Sequence, residues 1–412
     1  MSTPSILGLP GAAPRALALP RLGGPVLVAL AALAAGAWII GDAVSGRQAL
    51  LYLLGGALGL VLYHAAFGFT SAWRVFIADR RGAGLRAQMA MLAVATVLFF
   101  PVLAQGSLFG QPVQGIVAPI GISVVFGAFI FGIGMQLGGG CASGTLYTVG
   151  GGSSRMVLTL LFFIVGSTIG AAHFHWWSDQ ATLPKTSLVQ LWGPWTAIAV
   201  NLAIFAAIYG ATVLLERRRH GALEGERPTP RSGLARFLRG PWPLIWGAVA
   251  LALGNFATLA LSGRPWGITS AFALWGSKAA DAAGIEAWAW PYWATPERLA
   301  ELEGSVLADV TSVMNFGIIA GALLAAGLAG RFAPTWRIPL RSAVAAVIGG
   351  LLLGYGARLA YGCNIGAYFS GIASGSLHGW VWLVAAFAGN VVGTRLRPLF
   401  GLEVERTRPT GC

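Results

Sequence analysis

Ten stretches of the chain are apolar for long enough to cross a bilayer. They lie near residues 25–41, 49–67, 87–104, 115–137, 156–177, 194–215, 242–261, 312–330, 342–361 and 378–393. An α-helix rises about 1.5 Å per residue through a hydrocarbon layer about 30 Å thick, so roughly 20 apolar residues make one crossing. With 56% hydrophobic residues, 10% charged residues and a mean hydropathy of +0.72, the chain has too little polar surface to enclose itself as a soluble globule. The expected fold is an all-α polytopic membrane protein. The first stretch carries Ala35-Gly36-Ala37, which resembles a signal-peptide cleavage site, but its apolar run continues through Ile39 and Ile40 and reads as a helix.

The basic residues orient these spans, because Lys and Arg collect in cytoplasmic loops. Residues 216–241 carry Arg217, Arg218, Arg219, Arg227, Arg231, Arg236 and Arg239. Arg74, Arg80, Arg81 and Arg86 follow span two, Arg155 follows span four, and Arg331, Arg337 and Arg341 follow span eight. With Arg15, Arg21, Arg395, Arg397, Arg406 and Arg408 near the termini, one side holds nearly all the cations. The other side has only Arg47, Lys185, Arg264, Lys278 and Arg298. Both termini are therefore expected in the cytoplasm. The formal charge of +13 is read as this bias, with anionic lipid headgroups as partner and no need for nucleic acid.

The chain repeats itself. Residues 127–141 read GAFIFGIGMQLGGGC and 349–363 read GGLLLGYGARLAYGC, matching at Gly127/Gly349, Gly132/Gly354, Gly134/Gly356, Gly140/Gly362 and Cys141/Cys363. Upstream, Gly68-Phe69-Thr70-Ser71-Ala72 matches Gly267-Ile268-Thr269-Ser270-Ala271. Five spans per half is an odd number, so the second half is expected upside down relative to the first, an inverted repeat of two five-helix halves. The division is 1–215, where spans one to five are followed by span six leading into the second half, then a basic loop at 216–241, the rest of the second half at 242–395, and a tail at 396–412.

Residues 138–155 read GGGCASGTLYTVGGGSSR. The Ala142-Leu146-Val149 face is apolar enough to dip back into the bilayer as a short helix starting near Cys141. Backbone at that depth persists only where protein or water satisfies its polar groups, and a helix N-terminus there offers N–H groups and partial positive charge to an anion. The second Gly-Cys segment is expected to enter from the opposite side, with the Thr70-Ser71 and Thr269-Ser270 segments completing four short re-entrant elements that converge on the midplane. Cys141 and Cys363 then line a path beside Gly139, Gly140 and Gly362, and their thiols suit a soft, sulfur-bearing substrate. A lone buried Cys is ordinarily a small hydrophobe, but an equivalent pair in a repeat is not accounted for by packing.

Arg358 lies inside a span, five residues before Cys363 and opposite Gln136 of the first half; it is either part of the path or an anchor to backbone carbonyls. His64, His173, His175 and His378 fall near span ends, and Trp176, Trp177, Trp192, Trp195 and Trp242 read as interfacial anchors. Cys412 belongs to the tail. No His/Cys/Asp/Glu cluster has metal-site spacing, and no Walker A, G-x-S-x-G or H-E-x-x-H motif is present, so no cofactor and no enzymatic activity are expected.

The segments GGGCASGTLYTVGGGSSR, YGCNIGAYFSGIASGSLHGW and YHAAFGFTSAWR, within about residues 50–395, resemble the YeeE/YedE sulfur-transport family. The resemblance implies an hourglass-shaped fold in a bacterial inner membrane, thiosulfate as the transported anion, and Cys141 and Cys363 as central thiols. Where members carry a further cysteine in the first re-entrant element, this chain has FGFTSAWR, with Ser71 or Ala72 in its place. The YedE branch implies a selenium compound as an alternative cargo, and a separate soluble sulfur carrier of the TusA type as a partner. Two other readings stay open from the residues: an anion channel of the formate/nitrite kind, and a membrane thiol sulfurtransferase.

Overall fold

The computed structural model describes residues 23–225 and 232–405. Cys412 and Arg15, Arg21, Arg227, Arg231, Arg406 and Arg408 lie outside them. Among the described residues, ten helical segments are long and apolar enough to cross a membrane.

The first half runs α1 (Gly24–Ala43), α2 (Gly46–His64), the short α3 (Phe69–Asp79), α4 (Ala83–Gln105), α5 (Ile122–Gly138), the short α6 (Ala142–Gly150) and α7 (Ser154–Ala172). After α8 (Phe174–Ser178), the long α9 (Leu188–His220) and α10 (Gly233–Arg239), the order recurs as α11 (Leu244–Ser262), the short α12 (Thr269–Ala282) and, beyond α13 (Pro296–Glu303), α14 (Val310–Ala329). It closes with α15 (Leu340–Leu359), a π-helical turn at Asn364–Phe369 continued by α16 (Ser370–Ala373), and α17 (Leu377–Leu396). The only strands among the described residues are two-residue pairs in loops, Ser107–Leu108 with Gln111–Pro112 and Ile120–Gly121 with Thr182–Leu183.

Helix packing comes in matched pairs. α2 lies on α14 as α11 lies on α4; α5 on α17 as α15 on α7; α1 on α14 as α9 on α4; and α3 on α17 as α12 on α7. Each pairing becomes its mate when the halves are exchanged, and α5 packs directly on its own counterpart, α15. Glycines allow that central crossing. A Cβ on Gly134 would lie 2.9 Å from the Gly349 carbonyl oxygen, and one on Gly356 would lie 2.5 Å from that of Gly127. These are exchanged partners in the repeat, and no side chain larger than hydrogen fits between them. Close backbone approach at small residues is how helices associate where no water is expelled.

The connections sort onto two faces. One face joins Arg47 to Gln111, Gln114 to Gly263 and Leu188 to Gly375. The other joins Trp242 to His64, His220 to Asp79, Arg155 to Ser342 and Arg74 to Glu405. Residues 23 and 405 end on this second face, since Val26 packs on Gly327 at the end of α14 and Glu405 pairs with Arg74. The basic loops lie there too. Arg86 stands within α4 and not in a loop: its guanidinium meets the fully buried Glu216 of α9 at 2.7 Å, and the Gly82 N–H donates to the same carboxylate at 3.0 Å. A buried carboxylate is tolerated when charge and hydrogen bonds surround it in this way.

The largest difference between the halves lies between the third and fourth helices of each. Three residues, 80–82, connect α3 to α4, whereas 283–309 separate α12 from α14. This insertion holds two 3₁₀ turns, α13 and a third 3₁₀ turn on the face opposite the basic loops.

Candidate functional site at the paired Gly-Cys turns

Cys141 is the N-cap of α6. Its Sγ accepts the Gly144 N–H at 3.5 Å and lies 3.3 Å from Ser143 Oγ, and the Thr145 hydroxyl donates to the Cys141 carbonyl at 2.8 Å. The chain reaches this cap through Gly139, whose φ of +92° is costly for other residues and whose missing Cβ leaves room for the Arg155 guanidinium. Gly140 abuts the Met156 methyl.

Cys363 holds the corresponding N-cap, approached through Tyr361 and Gly362 at φ +56° and +147°. Here the turn is wider: the Cys363 carbonyl accepts from both Ala367 N at 2.8 Å and Tyr368 N at 3.3 Å, the latter a π-helical bond. Both cysteines are free and buried, they belong to one buried cluster, and α6 packs on the 364–369 turn.

Asn364, fully buried next to Cys363, has neither amide atom in a hydrogen bond within the described residues. The repeat position in the first half is Ala142, so the amide is particular to the second turn. A Cβ on Gly366 would touch nothing within 4 Å, which leaves space beside it.

The two Thr-Ser segments meet the long helices in equivalent ways. Gln136 Nε2 donates to the Thr70 carbonyl at 3.2 Å and to Asn390 Oδ1 at 2.6 Å. Arg358, at the position matching Gln136, donates through Nη2 to Thr269 Oγ1 at 3.5 Å and through Nη1 to the Tyr292 hydroxyl. Thr70 is buried with its hydroxyl unpartnered, while Ser71 donates to the Gly68 carbonyl at 3.2 Å. Ser270 is exposed and donates to Thr311 on α14, apart from the buried turns.

Polar side chains close the helix ends at these turns. Arg155 donates to the Gly138 and Leu137 carbonyls at 2.7 and 2.6 Å, and Arg397 to that of Gln136 at 2.6 Å, matching cations to the negative end of α5. At the end of α15 the ring of His378 lies 3.1 Å from the Ala360 carbonyl and Trp382 donates to that of Gly362 at 3.2 Å. His378 is thus an interior cap, not an interfacial residue. Trp73, Trp266, Trp293 and Trp382 are buried, whereas Trp176, Trp192 and Trp195 stand exposed as anchors do.

Sequence reasoning gave Asn364 and Tyr292 no role and read Arg298 only as a loop cation. The signal available for Asn364 was its place beside one of two equivalent cysteines. Among the described residues no three His, Cys, Asp or Glu side chains gather as a metal site would need. The large apolar groove between α5 and α17, lined by Ile122, Phe126, Phe129, Trp380 and Val384, holds no polar chemistry and suits a lipid chain.

The profile of the sulphur transport family matches residues 64–392. The thiosulfate transporter TsuA of Spirochaeta thermophila is 28% identical over 359 residues, covering 82% of this chain and 95% of that protein. The thiosulfate transporter TsuA of Escherichia coli K12 is 25% identical over 361 residues, covering 82% and 91%. The probable transporter YedE of Escherichia coli K12 is 33% identical over 169 residues; that match spans 40% of each chain, well under half of the YedE protein.

Proposed function

The chain belongs to the sulphur transport family, and from this premise we propose that it takes up a small sulfur-containing anion, thiosulfate foremost, along a path between the two Gly-Cys turns. The observation that carries the reading is the pair of free, buried cysteines, each at the N-cap position of a short helical segment, with the two segments in contact. A resident anion would exchange part of its hydration for N–H groups at the starts of α6 and the 364–369 turn, for the Asn364 amide and for S–H contacts to its outer sulfur. Such thiol contacts are weak, which suits a conduit, because cargo must leave a site as readily as it arrives.

The matched helix pairings support two inverted halves, with α3, α6, α12 and the 364–373 segment as the short elements around a central constriction. The basic face would be cytoplasmic in a bacterial inner membrane, and it is the surface a TusA-type carrier would approach. Counting Thr70, Thr269 and Arg358 in the path follows from their bonds at the flanks of the two turns. Gly139, Gly140 and Gly362 form its backbone; Ser71 is a lesser contributor, and Ser270 supports α12 from outside.

Proteoliposome uptake tests the reading. Labelled thiosulfate should enter with saturable kinetics, and Cys141→Ala or Cys363→Ala should each lower the rate per folded molecule at least about tenfold, the loss expected when one step of a path costs about 1.4 kcal/mol more. Uptake at the rate of empty liposomes, or full uptake by both variants, would remove the proposal.

A further inference from the structure

Two guanidinium groups share one aromatic ring in the 283–309 insertion. Arg358 lies 5.5 Å and Arg298 4.4 Å from the Tyr292 ring centroid, and Arg298 also donates to the Tyr292 carbonyl at 2.9 Å. Arg358 is only 7% exposed, its partners are the neutral hydroxyls of Tyr292 and Thr269, and its Nε is unpartnered. Among the described residues neither arginine has an ion pair. Glu301 feels the charge of Arg298, but its own ion pair is with Arg264 at 3.9 Å.

A buried cation without a counter-anion is costly, and a second cation on the same ring adds repulsion. The ring relieves some of this by its quadrupole, whose negative face attracts both guanidiniums. The remaining need is for negative charge. Arg298 is only partly buried, so solvent reaches the cluster. From the cluster, the Tyr292 ring contacts Phe174 at 5.3 Å and Phe174 contacts Tyr361 at 5.7 Å, two residues before Cys363.

We propose that Arg298, Arg358 and Tyr292 form a receiving site for small divalent oxyanions at the mouth beneath the insertion, ahead of the paired thiols. The proposal rests on the transport reading for its place in a path. Two guanidiniums and a phenol recognise oxygen atoms and charge. They make no demand for an outer sulfur. Sulfate and thiosulfate therefore both fit here, and discrimination between them falls to Cys141 and Cys363 deeper in.

Calorimetric titration of the full-length protein in lipid nanodiscs with sodium sulfate, at constant ionic strength, tests this. Sulfate should bind the wild type and the Cys141→Ala/Cys363→Ala double variant with the same affinity. Arg298→Gln should weaken it about tenfold, as loss of one charge-assisted contact implies, with Arg298→Lys recovering most of the loss. Tyr292→Phe, which keeps the ring and removes the hydroxyl, serves if Arg298→Gln does not fold, and should also weaken sulfate. Undiminished sulfate affinity in Arg298→Gln, or in Tyr292→Phe where that variant stands in, would overturn the site, as would its loss in the double cysteine variant alone. Thiosulfate uptake separates the two readings: uptake with Arg298-independent sulfate binding removes the receiving site and keeps transport, and Arg298-dependent binding without uptake does the reverse.

Discussion

Arg358 Nη2 reaches Thr269 Oγ1 at 3.5 Å, as Gln136, its counterpart in the other half, reaches the carbonyl of Thr70 at 3.2 Å. The same positions tie a long helix to the start of a short one in both halves, one with a charge and one without. Since a glutamine makes the tie in the first half, joining the long helix to the short one does not itself require the charge of Arg358. Arg358→Gln is therefore expected to raise the apparent KM for thiosulfate about tenfold with little change in melting temperature, a split that a structural cation would reverse. Uptake kinetics and thermal unfolding on one purified preparation read both quantities.

Asn364 has no internal hydrogen bond to lose. Removing a bonded buried amide ordinarily costs about 1–3 kcal/mol, whereas removing an unsatisfied one is neutral or stabilising. Asn364→Ala, which copies Ala142, is expected to hold or raise the melting temperature while cutting thiosulfate uptake severalfold. Asn364→Asp should cut it further by placing a carboxylate beside the anion. A stability loss in Asn364→Ala with unchanged uptake would return the residue to a packing role.

The α5–α15 crossing tolerates no methyl group. A Cβ on Gly349 would lie 2.1 Å from the Gly138 nitrogen, a contact with backbone and not with a side chain that can swing away. Overpacking costs about 1–3 kcal/mol where side chains can yield. Gly349→Ala is expected at or above the upper end, seen as loss of monodisperse protein on size exclusion. Gly366→Ala, with open space around it, should purify normally.

At the basic face, burial pushes the Glu405 carboxyl up, but its hydrogen bonds with Arg74, at 2.8 and 2.9 Å, outweigh this and hold it below the ordinary value of 4.5. A carboxylate with a depressed folded-state pKa stabilises above its unfolded pKa, and the contribution disappears as pH falls through the folded value. Hydrogen exchange in residues 401–405 should therefore be slow at neutral pH and accelerate below about pH 4.5, relative to intrinsic rates. Glu405→Gln should flatten that dependence.

The spans were legible because lipid selects for unbroken apolar length, and the cap at Cys141 was legible because three glycines precede a polar turn. Span six was read to 215, yet α9 runs to His220 because Arg217, Arg218 and Arg219 continue the helix beyond the apolar run, where hydropathy has no signal. Arg86 was taken for a loop residue for a related reason: a charge lowers the hydropathy of any window, and only the fold brings Glu216 to meet it. The buried Trp73, Trp266, Trp293 and Trp382 match lipid-facing tryptophans in composition, since sequence alone does not distinguish hydrocarbon from a neighbouring helix. The π-helical turn after Cys363 has no marker in YGCNIGAYF that separates it from the α-helical turn after Cys141.

The insertion at 283–309 makes the two ends of the proposed path unlike. A passive conduit cannot favour one direction of net flow when its two baths are at equal electrochemical potential, yet nothing requires it to fill at the same concentration from both. One approach passes two guanidiniums under a folded cover, while the other, at the basic face, ends on arginines whose donors are engaged by the carbonyls of Gln136, Leu137 and Gly138. If the proposed path holds, its covered end would fill at lower anion concentration than its basic end, where the cations are already engaged. The asymmetry is one of occupancy and not of direction, and it comes from a segment that has no counterpart in the first half.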